Sequence, residues 1–133
     1  MSMRIGRDLY DDIVAHAREE APDECCGMIA TRDGVAVAVH RAENAAHSPL
    51  RYEINPKDQY RIELAIDDAG LDLGAIYHSH TRSDPYPSQT DINLAFHPDA
   101  LYVIVGVATQ ETVMRAFKIV QRKVSEVTLE IYE

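Results

Sequence analysis

Apolar residues at Leu9, Tyr10, Ile13, Val14 and Ala17 keep the spacing of one helical face and predict a helix over Arg7–Glu20. Asp8, Asp11 and Asp12 suit its positive end, and Pro22 stops it. The turn Pro22-Asp23-Glu24-Cys25-Cys26-Gly27 feeds an apolar strand at 27–30, and Asp33-Gly34 is a hairpin signal joining it to a second strand at 35–39. A polar loop (43–49) and an extended piece (50–54) follow. Asn55 as N-cap and Pro56 at the first helical position then open a second helix, expected to bury Ile62, Ala65, Ile66 and Ala69 before Gly70 ends it.

Residues 73–77 read as a strand that carries Tyr77-His78-Ser79-His80 outward. Prolines mark 81–87 as a loop, and a short helix over 88–96 is stopped by Pro98. The continuous apolar run 101–108 predicts a central strand covered on both faces, and strands at 112–120 and 123–132 meet at Gln121-Arg122. The order predicts an α+β fold, a mixed sheet with helices packed on it, in one domain over 1–133.

Composition narrows the partners. At 133 residues the chain can bury about two-thirds of its unfolded surface around one core. A net charge of -9, from 22 acidic against 13 basic residues, argues against nucleic acid, which is bound by clustered Lys and Arg. A protein or peptide substrate fits better. The charged start has no apolar core and reads as no secretory signal, and no run reaches membrane-spanning length. Cys25 and Cys26 are adjacent, which excludes a disulfide framework and points to buried thiols in a reducing cytoplasm.

His78 and His80, spaced i, i+2 on a strand, point to one face and form a candidate metal site. Asp91 would add a third ligand and leave one tetrahedral position open, as in a catalytic zinc site. Ser88-x-x-Asp91 is also a capping box, which starts a helix without any chemistry, and the two roles are compatible. His16, His40, His47 and His97 lie on a helix, a strand end or loops and are not expected to be ligands.

Glu24, followed at a distance by His78-x-His80, seven residues, Ser88, two residues and Asp91, resembles the JAMM (MPN+) metalloprotease pattern without insertion or deletion. The resemblance covers nearly the whole chain. It implies a three-layer α/β/α-like domain shaped like cytidine deaminases, with one Zn2+ per chain held by His78, His80 and Asp91. Deaminase chemistry itself is disfavoured, since its His-x-Glu and Pro-Cys-x-x-Cys signature is missing. Tyr77-His78-Ser79-His80-Thr81 and Tyr86-Pro87-Ser88-Gln89-Thr90-Asp91 resemble the bacterial branch that releases cysteine from the C-terminus of a ubiquitin-like sulfur carrier protein. Ubiquitin-cleaving members usually have Pro where this chain has Thr81.

By that resemblance Glu24 is the general base, Ser88 donates to the oxyanion, and zinc lowers the pKa of water toward ~7 and polarises the scissile carbonyl. Ser79, on the opposite strand face, is given a supporting hydrogen-bonding role. The implied substrate is a carrier with a narrow Gly-Gly tail, its cleft walled by 50–54 or by 81–87. An isopeptidase that removes a small modifier from lysines and a non-catalytic scaffold are the alternatives. The latter is disfavoured because Glu24, His78, His80, Ser88 and Asp91 are all present.

Overall fold

The computed structural model describes residues 2–133. Its elements are β1 (Ser2–Gly6), α1 (Arg7–Glu20), β2 (Cys26–Arg32), β3 (Val35–Ala42), α2 (Pro56–Asp68), β4 (Asp72–His80), α3 (Gln89–Asn93), β5 (Leu101–Gly106), β6 (Val113–Val120) and β7 (Lys123–Tyr132). The sheet is mixed, as expected, in the order β1-β3-β2-β4-β5-β6-β7. Its two edges meet, because β1 pairs parallel with β7 and touches β3 at Arg4 and Val35, closing the sheet into a barrel.

Alternation along the central strands sorts side chains into two cores. Cys25, Ile29, Ala75, Tyr77, Leu101 and Val103 pack with Ile13 and Ala17 of α1. Cys26, Met28, Ile76, Tyr102, Ile104 and Phe117 pack with Ile62 and Ile66 of α2. Both faces of β2, β4 and β5 are therefore covered, which is why these strands read as near-continuous apolar runs. Cys25 and Cys26 are free and buried in opposite cores, and burial pushes both thiols up to about 12, so neither is a ready nucleophile.

Several elements differ from their sequence reading. β1 was not anticipated, although Met3 and Ile5 are buried and alternate with exposed Ser2 and Arg4. The seam of α2 is narrower than expected: Ile62 and Ile66 are buried, but Ala65 and Ala69 are exposed. The helix meets the curved sheet along a single i, i+4 row, and the alanines lie off it. α3 is a single short turn of helix, ending before Ala95. The piece at 50–54, read as extended, is held by the Ile54–Asn44 bridge, by bonds of Asn44 and Ala45 to Arg51 and Glu53, and by Tyr52 against His78.

Candidate metal centre

β4 lies between β2 and β5, with His78 opposite Cys26 on one side and Ile104 on the other. His78 and His80 share the α2-side face with Ile76, while Ser79 turns to the other face and accepts the Cys25 N–H at 2.8 Å. Asp91 comes from α3. Its N–H donates to Ser88 Oγ at 3.0 Å and the Ser88 N–H donates to Asp91 Oδ2 at 2.9 Å, so the capping box forms and aims the carboxylate at the strand.

That oxygen lies 3.1 Å from Nε2 of both His78 and His80, and the two nitrogens are 3.2 Å apart. The triangle is close to a face of a tetrahedron with arms of ~2.0 Å, whose edges are ~3.3 Å. The proton inventory supports a cation at its centre. His80 Nδ1 lies 2.7 Å from the Asp84 carbonyl, which can only accept, so Nδ1 carries the proton. Nε2 then faces Asp91 and needs either a second proton or a cation between them. Burial lowers the pKa of His80, but Asp91 and the Asp84 carbonyl outweigh burial and raise it, and a bound cation would take that proton's place. Burial lowers the pKa of His78 and favours its neutral ring. Burial alone would raise the Asp91 carboxyl, but its contacts with His78, His80 and the Ser88 N–H outweigh it and hold Asp91 well below the usual range. Two imidazole nitrogens and a carboxylate form a donor set that suits zinc.

Glu24 approaches from the mouth of β2, brought there by the Cys26–His78 register. Its carboxylate lies within 4.8 Å of both rings, is almost wholly buried, and leaves Oε1 without a protein partner. Burial pushes its pKa up to about 8, with His80 opposing and Asp91 adding to the rise. All five residues singled out in the sequence thus meet at one place: Glu24, His78, His80 and Asp91 by side chain, and Ser88 through the capping box.

Other residues of the site left no signal of spacing. Tyr52 stacks on His78 with ring centroids 4.3 Å apart, and Asn44 holds the Glu24 carbonyl at 3.0 Å. Thr81, where ubiquitin-cleaving enzymes usually have Pro, donates to the Pro22 carbonyl at 2.8 Å and ties the Glu24 turn to the end of β4. Gly106 lets Pro85 close over β5, since a Cβ there would lie 3.0 Å from Pro85 Cδ, and this brings the Asp84 carbonyl onto His80. His16 is no ligand: it is buried against Tyr77, Nδ1 to hydroxyl at 2.7 Å.

A cleft of about 470 Å³ opens beside Asp91, lined by Arg51, Tyr52, Ile54, Phe96 and Tyr102 among others. Of the two expected walls, only the 50–54 piece borders it; the 81–87 loop does not.

Known proteins share this arrangement of chain. The family model for prokaryotic homologs of the JAB domain matches residues 6–120. The CysO-cysteine peptidase of Mycobacterium tuberculosis is 37% identical over 132 residues, covering 97% of this chain and 90% of that protein. A desampylase of Haloferax volcanii is 38% identical over 109 residues, 77% of this chain and 78% of that one. The solution structure of protein DSY2949 from Desulfitobacterium hafniense superposes with a TM-score of 0.90 at 28% identity, covering 100% of this chain and 94% of that chain. With sequence and fold agreeing along nearly its whole length, the chain belongs to the prokaryotic homologs of the JAB domain and is a metallopeptidase of the JAMM type.

Proposed function

We propose that the protein is a zinc-dependent peptidase that hydrolyses the bond after the C-terminal glycine of a ubiquitin-like sulfur carrier protein and releases cysteine. The observation that carries this reading is that two imidazoles meet the Asp91 carboxylate, and that the Glu24 carboxylate, of opposed pKa, lies within 4.8 Å of the same rings, in a chain similar throughout to a CysO-cysteine peptidase. Carboxylates pushed apart in pKa divide the work: the one held low stays an anion and binds, and the one pushed up can carry a proton.

His78, His80 and Asp91 are the residues that would hold the zinc. When bound, zinc supplies a Lewis acid that polarises the scissile carbonyl and lowers the pKa of water toward ~7. A cation bound beside Glu24 would hold its carboxylate ionised, and Glu24, set back from the two rings, then takes a proton from the attacking water and passes it to the leaving amine. Ser88 Oγ accepts the Asp91 N–H, which leaves its own hydroxyl proton free to stabilise the charge that grows on the carbonyl oxygen. The carrier tail lies in the cleft along 51–54, where the Tyr52 and Ile54 backbone, on the side away from the Asn44 and Ala45 bonds to Arg51 and Glu53, can pair with an extended chain. A cytoplasmic setting suits the two free thiols, and no helix among the described residues is long and apolar enough to cross a membrane.

The similarity to a desampylase favours a second reading, an isopeptidase that removes a small modifier from lysines. Incubation of the zinc-loaded protein with a carrier–cysteine conjugate and with the same carrier joined to a lysine ε-amine separates the two. Mass spectrometry should show free cysteine and a carrier ending in glycine, formed faster than any product of the isopeptide. Preferential cleavage of the isopeptide would decide for the second reading.

A further inference from the structure

Asn44 follows β3, is almost wholly buried, and lies outside the metal triangle. Its side chain uses its full hydrogen-bonding capacity. Nδ2 donates to the Glu24 carbonyl and to the Arg51 carbonyl, both at 3.0 Å; Oδ1 accepts the N–H groups of Ala46 at 3.0 Å and Glu53 at 2.9 Å. Turning the amide over would set its oxygen against two carbonyls and its NH2 against two N–H groups, so the network fixes its orientation.

The amide has two functional halves. The acceptor half pins the 44–53 loop to itself, beside the Ala45 N–H to Glu53 carbonyl bond at 2.7 Å. The donor half reaches across to Glu24, whose N–H in turn donates to the Ser48 carbonyl of the same loop at 2.9 Å. Both backbone groups of Glu24 therefore rest on this loop, and the loop also carries Tyr52, stacked on His78. The Glu24 carboxylate has an oxygen without a protein partner, so its position comes from its backbone and packing rather than from a bond of its own.

We propose that Asn44 is a positioning residue for the hydrolysis, and that its amide donors hold Glu24 and the Tyr52–His78 stack in one register. The proposal rests on the assignment of Glu24 as the base. A misplacement of about 1 Å in such a group can cost ~10²-fold in rate.

Asn44→Asp keeps the acceptors for Ala46 and Glu53 but sets a carboxylate oxygen against the Glu24 and Arg51 carbonyls, whereas Asn44→Ala removes both halves. With the zinc-loaded proteins and the carrier–cysteine conjugate, kcat, KM, zinc content and Tm are measured for each. Both variants should melt below wild type, Asp lowest because it buries a charge against two carbonyls. The folded, zinc-loaded fraction of each should lose at least ~10-fold in kcat, with KM changed less than ~3-fold and zinc near one per chain. If Asn44 only braces the loop, Tm will fall while kcat per folded, zinc-loaded chain stays within ~3-fold of wild type, and the proposal is overturned. Failure of both variants to fold with zinc would also overturn it, because Asn44 would then serve the fold and not the reaction. Should the wild-type protein leave the conjugate uncut, the functional reading fails; should it cut and Asn44→Asp cut equally well, only the role of Asn44 fails.

Discussion

Asp91 Oδ2 receives the Ser88 N–H from one side and faces two imidazoles on the other, so one atom links the start of α3 to the metal centre. Alanine at His78, His80 or Asp91 removes one of three ligands, and metal analysis should find about one zinc per wild-type chain and little in each variant. Ser88 offers a sharper distinction, because its oxygen caps α3 while its proton is free. Ser88→Ala should keep zinc, lose about 1 kcal/mol of stability, and slow turnover by ~10²- to 10³-fold. A rate that falls only with the folded fraction would reduce Ser88 to a cap. The residues of this centre were unequally visible in the sequence. His78-x-His80 and Ser88-x-x-Asp91 are local spacings, but Glu24 came only through resemblance, since its approach depends on the pairing of Cys26 with His78. Tyr52 and Asn44 act through a ring stack and through backbone groups, which fix no spacing along the chain.

Among the elements, β2 and β4 matter most, because their register sets Glu24 opposite the histidines. Gly27 stands opposite Tyr77 in that register, and a Cβ there would overlap the Tyr77 ring and the His40 carbonyl. Gly27→Ala should therefore cost about 1–3 kcal/mol, read as a lower Tm, and should impair activity through the displaced turn. Wild-type stability for that variant would show that β2 can shift without loss. Long periodic elements were legible: α1 spans Arg7–Glu20 as its apolar stripe predicts, and Asp33-Gly34 does join β2 to β3 with both residues at positive φ. The five residues of β1 were too few and too polar to announce a strand, and their partner β7 lies more than a hundred residues away. The histidines lie inside β4 and not beyond it, because pairing with β2 and β5 continues to the strand's end.

At the scale of the whole molecule, the apolar residues form two cores that need no metal to pack, with His78 and His80 buried beside the α2-side one. Protein stripped of zinc should keep its fold and unfold in one cooperative transition; outright unfolding on chelation would mark the site as structural and contradict a catalytic reading. The metal-free protein should also show the strain of the buried Glu24. Its folded pKa, about 8, lies above its ordinary 4.5, so the folded state binds the proton more tightly. Stability from this group is complete below about 4.5 and is lost as pH rises toward about 8. Asp91 has the opposite sign and loses its contribution only as pH falls. Glu24→Gln has no proton to lose, so the Tm of metal-free wild type should fall relative to that variant across this range; parallel curves would mean that Glu24 is not desolvated.

Glu24→Gln also gives the most direct measurement of the reaction itself. The amide keeps the shape of the carboxylate but cannot accept a proton from water at neutral pH. The folded, zinc-loaded variant is incubated with a carrier–cysteine conjugate, and free cysteine is quantified while native mass spectrometry records the complex. The conjugate should bind and remain uncut on the variant, whereas the wild type returns cysteine and a carrier ending in glycine. Cysteine release by Glu24→Gln at close to the wild-type rate would leave the metal centre without its base.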